Sequence, residues 1–213
     1  RMNTVFKFYY QTWVLWSVAA AFGLWWAWQH AGRAGRWLTG SAGVLIVALG
    51  LIYPALALPA RTNNFAPNPG PTLDATAEFA LYNPDDFAAI QWIEQNLLAG
   101  PGVIAEAVGG SYTQFGRISG YTGLPTVLGW VGHEGQWRGG YKEVGSRESD
   151  VERLYRSRDW PEIQAILDKY DIRYVYIGPL EQDKYNPNAQ MFTRNMKQIY
   201  QAGRVTIYER VDE

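Results

Sequence analysis

Two long apolar runs open the chain, and beyond them short apolar stretches alternate with polar, glycine-rich or proline-rich breaks. Residues 12–28 carry no charge, with apolar character beginning near Val5, and residues 37–58 form a second uncharged run of similar length. Each supplies the roughly 20 residues that cross a bilayer's hydrocarbon core. Backbone amides in lipid must pair internally, so both runs are expected to be helices, spanning about 6–28 and 37–58. Gly32, Arg33, Gly35 and Arg36 separate them, so residues 1–60 read as a helical hairpin. Trp25, Trp26, Trp28 and Trp37 flank the connector and Phe8, Tyr9 and Tyr10 sit at the other end, where interfacial aromatic belts occur. The first run continues through Trp28, too long and too bulky for a signal peptide. Arg33 and Arg36 favour a cytoplasmic connector, whereas Arg1 and Lys7 argue the reverse, so charge leaves the orientation open.

Residues 61–84 read as a Pro/Asn-rich linker leading into a water-soluble domain at 85–213. Asn83-Pro84-Asp85-Asp86 has an N-cap residue, a first-turn proline and first-turn acids. The helix it opens runs to about Leu98, with Phe87, Ile90, Ile93 and Leu97 on one face, and Gly100-Pro101-Gly102 ends it. Residues 103–108 predict a strand, and 126–130 another after a glycine-rich loop. Two helices follow, opened by capping boxes at Ser149–Glu152 and Asp159–Glu162; the second presents Ile163, Ile166, Leu167 and Tyr170. Residues 173–178 are a β-branched and aromatic strand. A helix at 190–198 and a strand at 205–210 close the chain. The alternation predicts an α/β fold: two transmembrane helices and then a small α/β domain with a mostly parallel sheet.

Charge divides the chain at the same place. Up to Ala60 there are four basic residues and no carboxylate; from Arg61 there are 15 basic and 20 acidic residues. Six of the ten tryptophans lie at or before Trp37. This is the composition of a membrane anchor joined to a globular body. The absence of cysteine excludes disulfides, thiolate metal sites and a cysteine nucleophile. The weakly acidic body has no basic tract, which argues against nucleic acid as a partner.

Residues 106–138 concentrate glycine with polar groups able to bind: Glu106, Ser111, Tyr112, Arg117, Ser119, His133, Glu134, Gln136 and Arg138. Glycine lets a backbone approach a ligand, and Trp130 and Trp137 offer flat faces on which a sugar ring stacks. Plainer readings stand beside these: Gly109-Gly110 as a turn, and Arg117 paired with Glu106 as structural support. His133-Glu134 is half of a metal site, but the only other histidine is His30, near the membrane edge, and no metal ligand set is assigned. A Ser111/His133/Glu134 triad lacks the G-x-S-x-G elbow of an α/β-hydrolase.

Five segments in this order, RMNTVFKFYYQ, LDATAEFALYNPDDFAAIQWI, EAVGGSYTQFGRISGYTGLPTVLGWVGHEGQWRG, SRESDVERLY and YDIRYVYIGPLE, are similar to the C-terminal region of the YYY-domain polytopic membrane proteins. These are proposed glycosyltransferases of the GT-C type. The resemblance covers essentially the whole chain. It implies further transmembrane helices upstream of Arg1, an extracytoplasmic C-terminal domain, and a multi-pass protein of the cell membrane. It also implies a polyprenyl-phosphate-linked sugar donor, with catalytic or metal-binding acids in an early extracytoplasmic loop; no cofactor is evident in this chain, and the resemblance leaves room for a divalent metal in the full-length protein. No carboxylate precedes Asp74, so those acids are expected upstream of this chain. Under this reading the loop at 106–138 faces the active site, with Arg117 and Arg138 as phosphate partners and Trp137 as a stacking platform. Catalytic residues are not assigned. The expected partners are the lipid bilayer, a polyprenyl-phosphate sugar, and other transmembrane helices of the same or a partner chain. The competing reading is a non-catalytic, membrane-anchored accessory subunit of a larger membrane complex. A tethered hydrolase rests on Ser111, His133 and Glu134 alone.

Overall fold

The computed structural model describes residues 2–66, 70–98, 100 and 102–211. Arg1 of the charge argument, residues 67–69 of the expected linker and Pro101 of the expected helix stop lie outside them. The chain divides into two compact units, Arg1–Pro71 and Thr72–Glu213.

The first unit is two helices, α1 (Met2–His30) and α2 (Arg33–Arg61), each of 29 residues. Among the described residues α2 alone is long and apolar enough to cross a membrane. None of its residues is buried, and Leu38, Val44, Ile46 and Leu56 are exposed over most of their surface. A water-soluble helix would hide such side chains. α1 is as long but less apolar, carrying Lys7, Gln11, Thr12 and Gln29 among its aromatic rings. The two pack through glycine: a Cβ on Gly40 would lie 2.6 Å from the Trp28 ring, and one on Gly43 would lie 3.0 Å from Leu24. Small residues at helix crossings let backbones approach in lipid. Gly40→Leu is therefore expected to open the hairpin at a cost of about 1–3 kcal/mol. Cysteines engineered as Leu24→Cys and Gly43→Cys test this: they should cross-link in the parent and fail to in the Gly40→Leu background.

The second unit is a four-stranded sheet between two helical layers. Its elements in order are α3 (Thr76–Tyr82), α4 (Pro84–Asn96), β1 (Val103–Ala105), α5 (Arg117–Thr122), α6 (Val131–Trp137), α7 (Arg147–Arg156), α8 (Trp160–Lys169), β2 (Ile172–Ile177), α9 (Pro179–Tyr185), α10 (Ala189–Asn195), β3 (Lys197–Ala202) and β4 (Val205–Glu209). The strand order is β1-β2-β4-β3. β2 is central, paired on both edges, and its sequence, apolar but for Arg173, reflects burial on both faces. Tyr174 and Tyr176 pack with Ile90 and Ile93 of α4, Leu97 just beyond its end, and Ile118 of α5. Val175 and Ile177 pack with Leu154 of α7, Ile163 and Leu167 of α8, and Phe192 of α10.

The sheet is mixed, which corrects the expected mostly parallel one. β1 and β2 are parallel, but β4 is antiparallel to both β2 and β3. The reason is a β3–β4 hairpin turning at Gly203, where φ is +51° and a Cβ would meet the Asp85 carboxylate. Residues 197–198, expected to end a helix, instead begin β3. Four more expectations are corrected. The strand expected at 126–130 is a single bridge from Thr126 to Ile104, after which the chain turns into α6. The strand expected at 103–108 ends at Ala105, because the next amides are taken by side chains: Ala107 N–H donates to Glu181 (2.8 Å) and Val108 N–H to the Tyr185 hydroxyl (3.2 Å). Neither expected capping box forms: α7 begins after Ser146 rather than at Ser149, and neither Ser146 nor Asp159 makes a side-chain cap bond. The expected linker also contains α3.

Candidate functional site

The loop expected to bind ligand separates into a buried part and an exposed part. The buried part lies where the N-termini of α4, α5 and α9 meet the ends of β1 and β2. Asp86 and Glu181 each occupy the third position of their helix, behind a first-turn proline. Arg117 opens α5 after Gly116, whose φ of +75° suits glycine. Its guanidinium spans both acids. Nε and Nη2 donate to Asp86 at 2.7 and 3.1 Å, and Nη1 and Nη2 donate to Glu181 at 3.3 and 3.1 Å. Tyr176 donates its hydroxyl to Asp86, and Glu181 also accepts the Gly178 N–H at 2.9 Å. Glu106 does not pair with Arg117, contrary to expectation. It accepts the Ile118 and Ser119 amides, both at 2.8 Å, and so caps α5.

All four charged side chains are buried, and among the described residues no buried side-chain polar atom lacks a partner. Burial pushes the Glu106 carboxyl up, against the pull of its Ser119 and Ile118 hydrogen bonds. For Arg117 burial acts to lower the pKa, but Glu181 and Asp86 outweigh it and hold the guanidinium firmly charged. A parallel α/β sheet offers ligands a crevice at the C-terminal ends of its strands. Here the chain fills that place with its own carboxylates and arginine. Glu106 and Arg117 therefore act on the fold, and of the two arginines expected to hold phosphate only Arg138 reaches solvent.

The exposed part is built on α6 and the turn at residues 109–116. Trp130, the N-cap of α6, donates Nε1–H to the Phe115 carbonyl, which ties the two segments together. Two glycines bring them close: a Cβ on Gly109 would lie 2.0 Å from the Phe115 ring, and one on Gly132 would lie 3.0 Å from Ser111 Oγ. The result is an aromatic triangle. Tyr112, Trp130 and His133 rings lie 5.5, 4.9 and 5.2 Å apart, and His133 meets both other rings edge-on. His133, Gln136 and Trp137 share a helix face by their three- and four-residue spacing. Glu134 and Arg138 form an ion pair at 2.6 Å. Tyr112 is 78% exposed and Trp137 74%. Tyr141, not singled out in the sequence, lays its ring against Gly135.

Tyr112 also has φ of +61°, a left-handed conformation that costs a non-glycine residue roughly 1–2 kcal/mol. Its ring stays largely in solvent despite this strain. Tyr112→Gly should therefore raise the thermal midpoint of this unit, by up to about 1 kcal/mol in stability. A lowered midpoint would mean that the ring contributes more to packing than the strain removes.

The geometry does not join Ser111, His133 and Glu134 into a triad. Among the described residues no hydrogen bond joins Ser111 to His133, and Glu134 is engaged by Arg138. Nor do three or more His, Asp or Glu residues converge on a metal-sized site there. The buried network was partly legible: Gly178-Pro179-Leu180-Glu181 has the same first-turn proline and third-position acid as the α4 start. Nothing in the sequence linked it to Arg117.

The fold and site together define a two-part protein: a hairpin containing a membrane-length helix, and a three-layer α/β domain displaying an aromatic loop. A family model matches residues 8–213, and the chain belongs to that family, DUF6541, a family of unknown function. No curated protein sequence matches it. Among solved structures, it is similar to the C-terminal globular domain of an oligosaccharyltransferase from Archaeoglobus fulgidus. That likeness covers 60% of this chain and 97% of the other, at 14% identity and a TM-score of 0.39.

Proposed function

We propose that this chain is the C-terminal part of a GT-C-type membrane glycosyltransferase that takes sugar from a polyprenyl-phosphate donor. In this reading both α1 and α2 span the cell membrane against other transmembrane helices, and the α/β domain is extracytoplasmic. The five segments similar to the YYY-domain proteins support the family; the longest of them, residues 106–139, contains the site. The observation that carries the reading is the Tyr112–Trp130–His133 triangle, in which Tyr112 is exposed and in strain while Trp130 and His133 are half-buried. Aromatic faces stack on the apolar faces of sugar rings, while Ser111, Gln136 and Arg138 supply polar groups for hydroxyls and phosphate. The loop's acids are committed, Glu106 to backbone amides and Glu134 to Arg138. Neither is assigned as a catalytic base or a metal ligand in this reading.

The same commitment favours the second reading, an accessory module that binds without catalysing. Alanine replacements of Tyr112 and His133 in the full-length protein, assayed for transfer from a polyprenyl-phosphate sugar, test both. Each is expected to lower transfer by about two- to tenfold, the worth of a lost aromatic contact, with the fold unchanged by near-ultraviolet circular dichroism. Unchanged transfer in a folded Tyr112→Ala, His133→Ala double variant would remove the loop from the reaction and leave the accessory reading.

A further inference from the structure

The α1–α2 connector contains a second feature, unrelated to the aromatic loop. A cavity of about 570 Å³ opens there, lined by Trp28, Ala31, Gly32, Arg33, Arg36 and Trp37. We propose that it holds the phosphate of an anionic phospholipid in the leaflet where the connector emerges. This inference rests on membrane placement of α2, and not on sugar transfer.

Three observations support it. First, the arginines lack acidic partners: no carboxylate occurs before Asp74, and neither Arg33 nor Arg36 forms an ion pair among the described residues. Second, Arg36 is held in place by its Nε–H, which donates to the Trp28 carbonyl at 3.1 Å near the end of α1. That bond leaves its two terminal nitrogens available for the paired hydrogen bonds by which guanidinium recognises phosphate. Third, depth is set by helix length. At 1.5 Å per residue α2 is roughly 43 Å long, about the thickness of a bilayer with its headgroups. When its apolar middle sits in the hydrocarbon, Arg33 and Arg36 lie at headgroup level. Trp28 and Trp37, 45% and 75% exposed, flank them as interfacial tryptophans do. Basic pockets between transmembrane helices are a known way of holding anionic headgroups.

The test uses the whole chain in nanodiscs of phosphatidylcholine containing a minority of phosphatidylglycerol. Co-purified lipid is measured after transfer to detergent. Phosphatidylglycerol is expected to be enriched, and the enrichment should fall roughly fivefold for each arginine replaced in Arg33→Gln and Arg36→Gln. Arg33→Gln alone leaves the Arg36–Trp28 bond intact, so it decides the matter if the double variant misfolds. Arg33→Lys with Arg36→Lys should keep part of the enrichment, since charge remains but the guanidinium fork does not. Unchanged enrichment in a folded Arg33→Gln variant would overturn the proposal. Displacement of the lipid by an equal concentration of inorganic phosphate would also overturn it, showing a free-anion site instead.

Discussion

Replacing Arg117 with alanine is expected to unfold the α/β domain or nearly so. The guanidinium and both acids it joins are only 0–2% exposed at the side chain, and its bonds run from 2.7 to 3.3 Å. Removing it strands Asp86 and Glu181 without a cation inside the protein. Deleting one partner of such a pair destabilises by about 3–5 kcal/mol, a large share of the roughly 5–15 kcal/mol that holds a domain together. Arg117→Lys should rescue little, because a single ammonium cannot reproduce four directed bonds to two carboxylates. Adding Asp86→Asn and Glu181→Gln to Arg117→Ala should recover part of the loss, since no buried charge is then left unpaired. Thermal unfolding followed by near-ultraviolet circular dichroism measures all three. If Arg117→Ala unfolds within about 0.5 kcal/mol of the parent, as surface substitutions do, the network does not stabilise the domain. Because the expected effect is on folding, lost sugar transfer in this variant would not by itself place Arg117 at a substrate.

Asp150 carries the second large effect, and a pH dependence with it. Its side chain is fully buried between α7 and α8, where it accepts from Ser146 Oγ at 2.8 Å, Lys169 Nζ at 2.7 Å, the Tyr170 hydroxyl and Arg153. Burial pushes the carboxyl up, but the hydrogen bonds from Lys169, Tyr170, Arg153 and Ser146 outweigh it and hold it well below 3.8. A pKa lowered by folding adds stability that is fully present above the unfolded value. That stability is lost as pH falls from about 3.8 through the lower folded value. Asp150→Asn should lose about 1.5–3 kcal/mol at pH 7, the worth of a hydrogen bond to a charged group. The loss is smaller than for Arg117 because Arg153 and Lys169, both half-exposed, can return to water. Urea midpoints at pH 7 and in strong acid provide the measurement. The gap between parent and variant should narrow in acid; a gap of equal size at both would rule out the charged cluster as its source.

Much of the fold was legible because single segments carry it. The α2 run reads as a helix of membrane length from composition alone. β2 reads as a central strand because residues 172–177 are almost continuously apolar. α4 and α8 announce themselves by a cap residue, a first-turn proline and first-turn acids. β3 failed to register because its alternation is weak: Ile199 and Tyr200 are adjacent, and a register shift lies between Gln198 and Tyr200. α5 and α6 failed because each is only six or seven residues long and rich in glycine. The site was half legible. Ser111, Tyr112 and His133 were picked out by residue type, but Trp130 joins them through a bond to a carbonyl 15 residues back.

The two-part organisation, the membrane-length helix and the positions of the main helices and the central strand are all written in the order of residues along the chain. Each of these follows from hydrophobic spacing and capping within one segment. Only the tertiary structure decided the mixed sheet, since a hairpin at Gly203 sets the direction of β4. Only it decided the role of Arg117, whose partners lie 31 and 64 residues away. Local pattern encodes local structure, whereas a buried charge answers to whatever the folded chain brings beside it. That distinction moves Glu106 and Arg117 out of the candidate binding surface and leaves Tyr112, His133 and Trp137 on it.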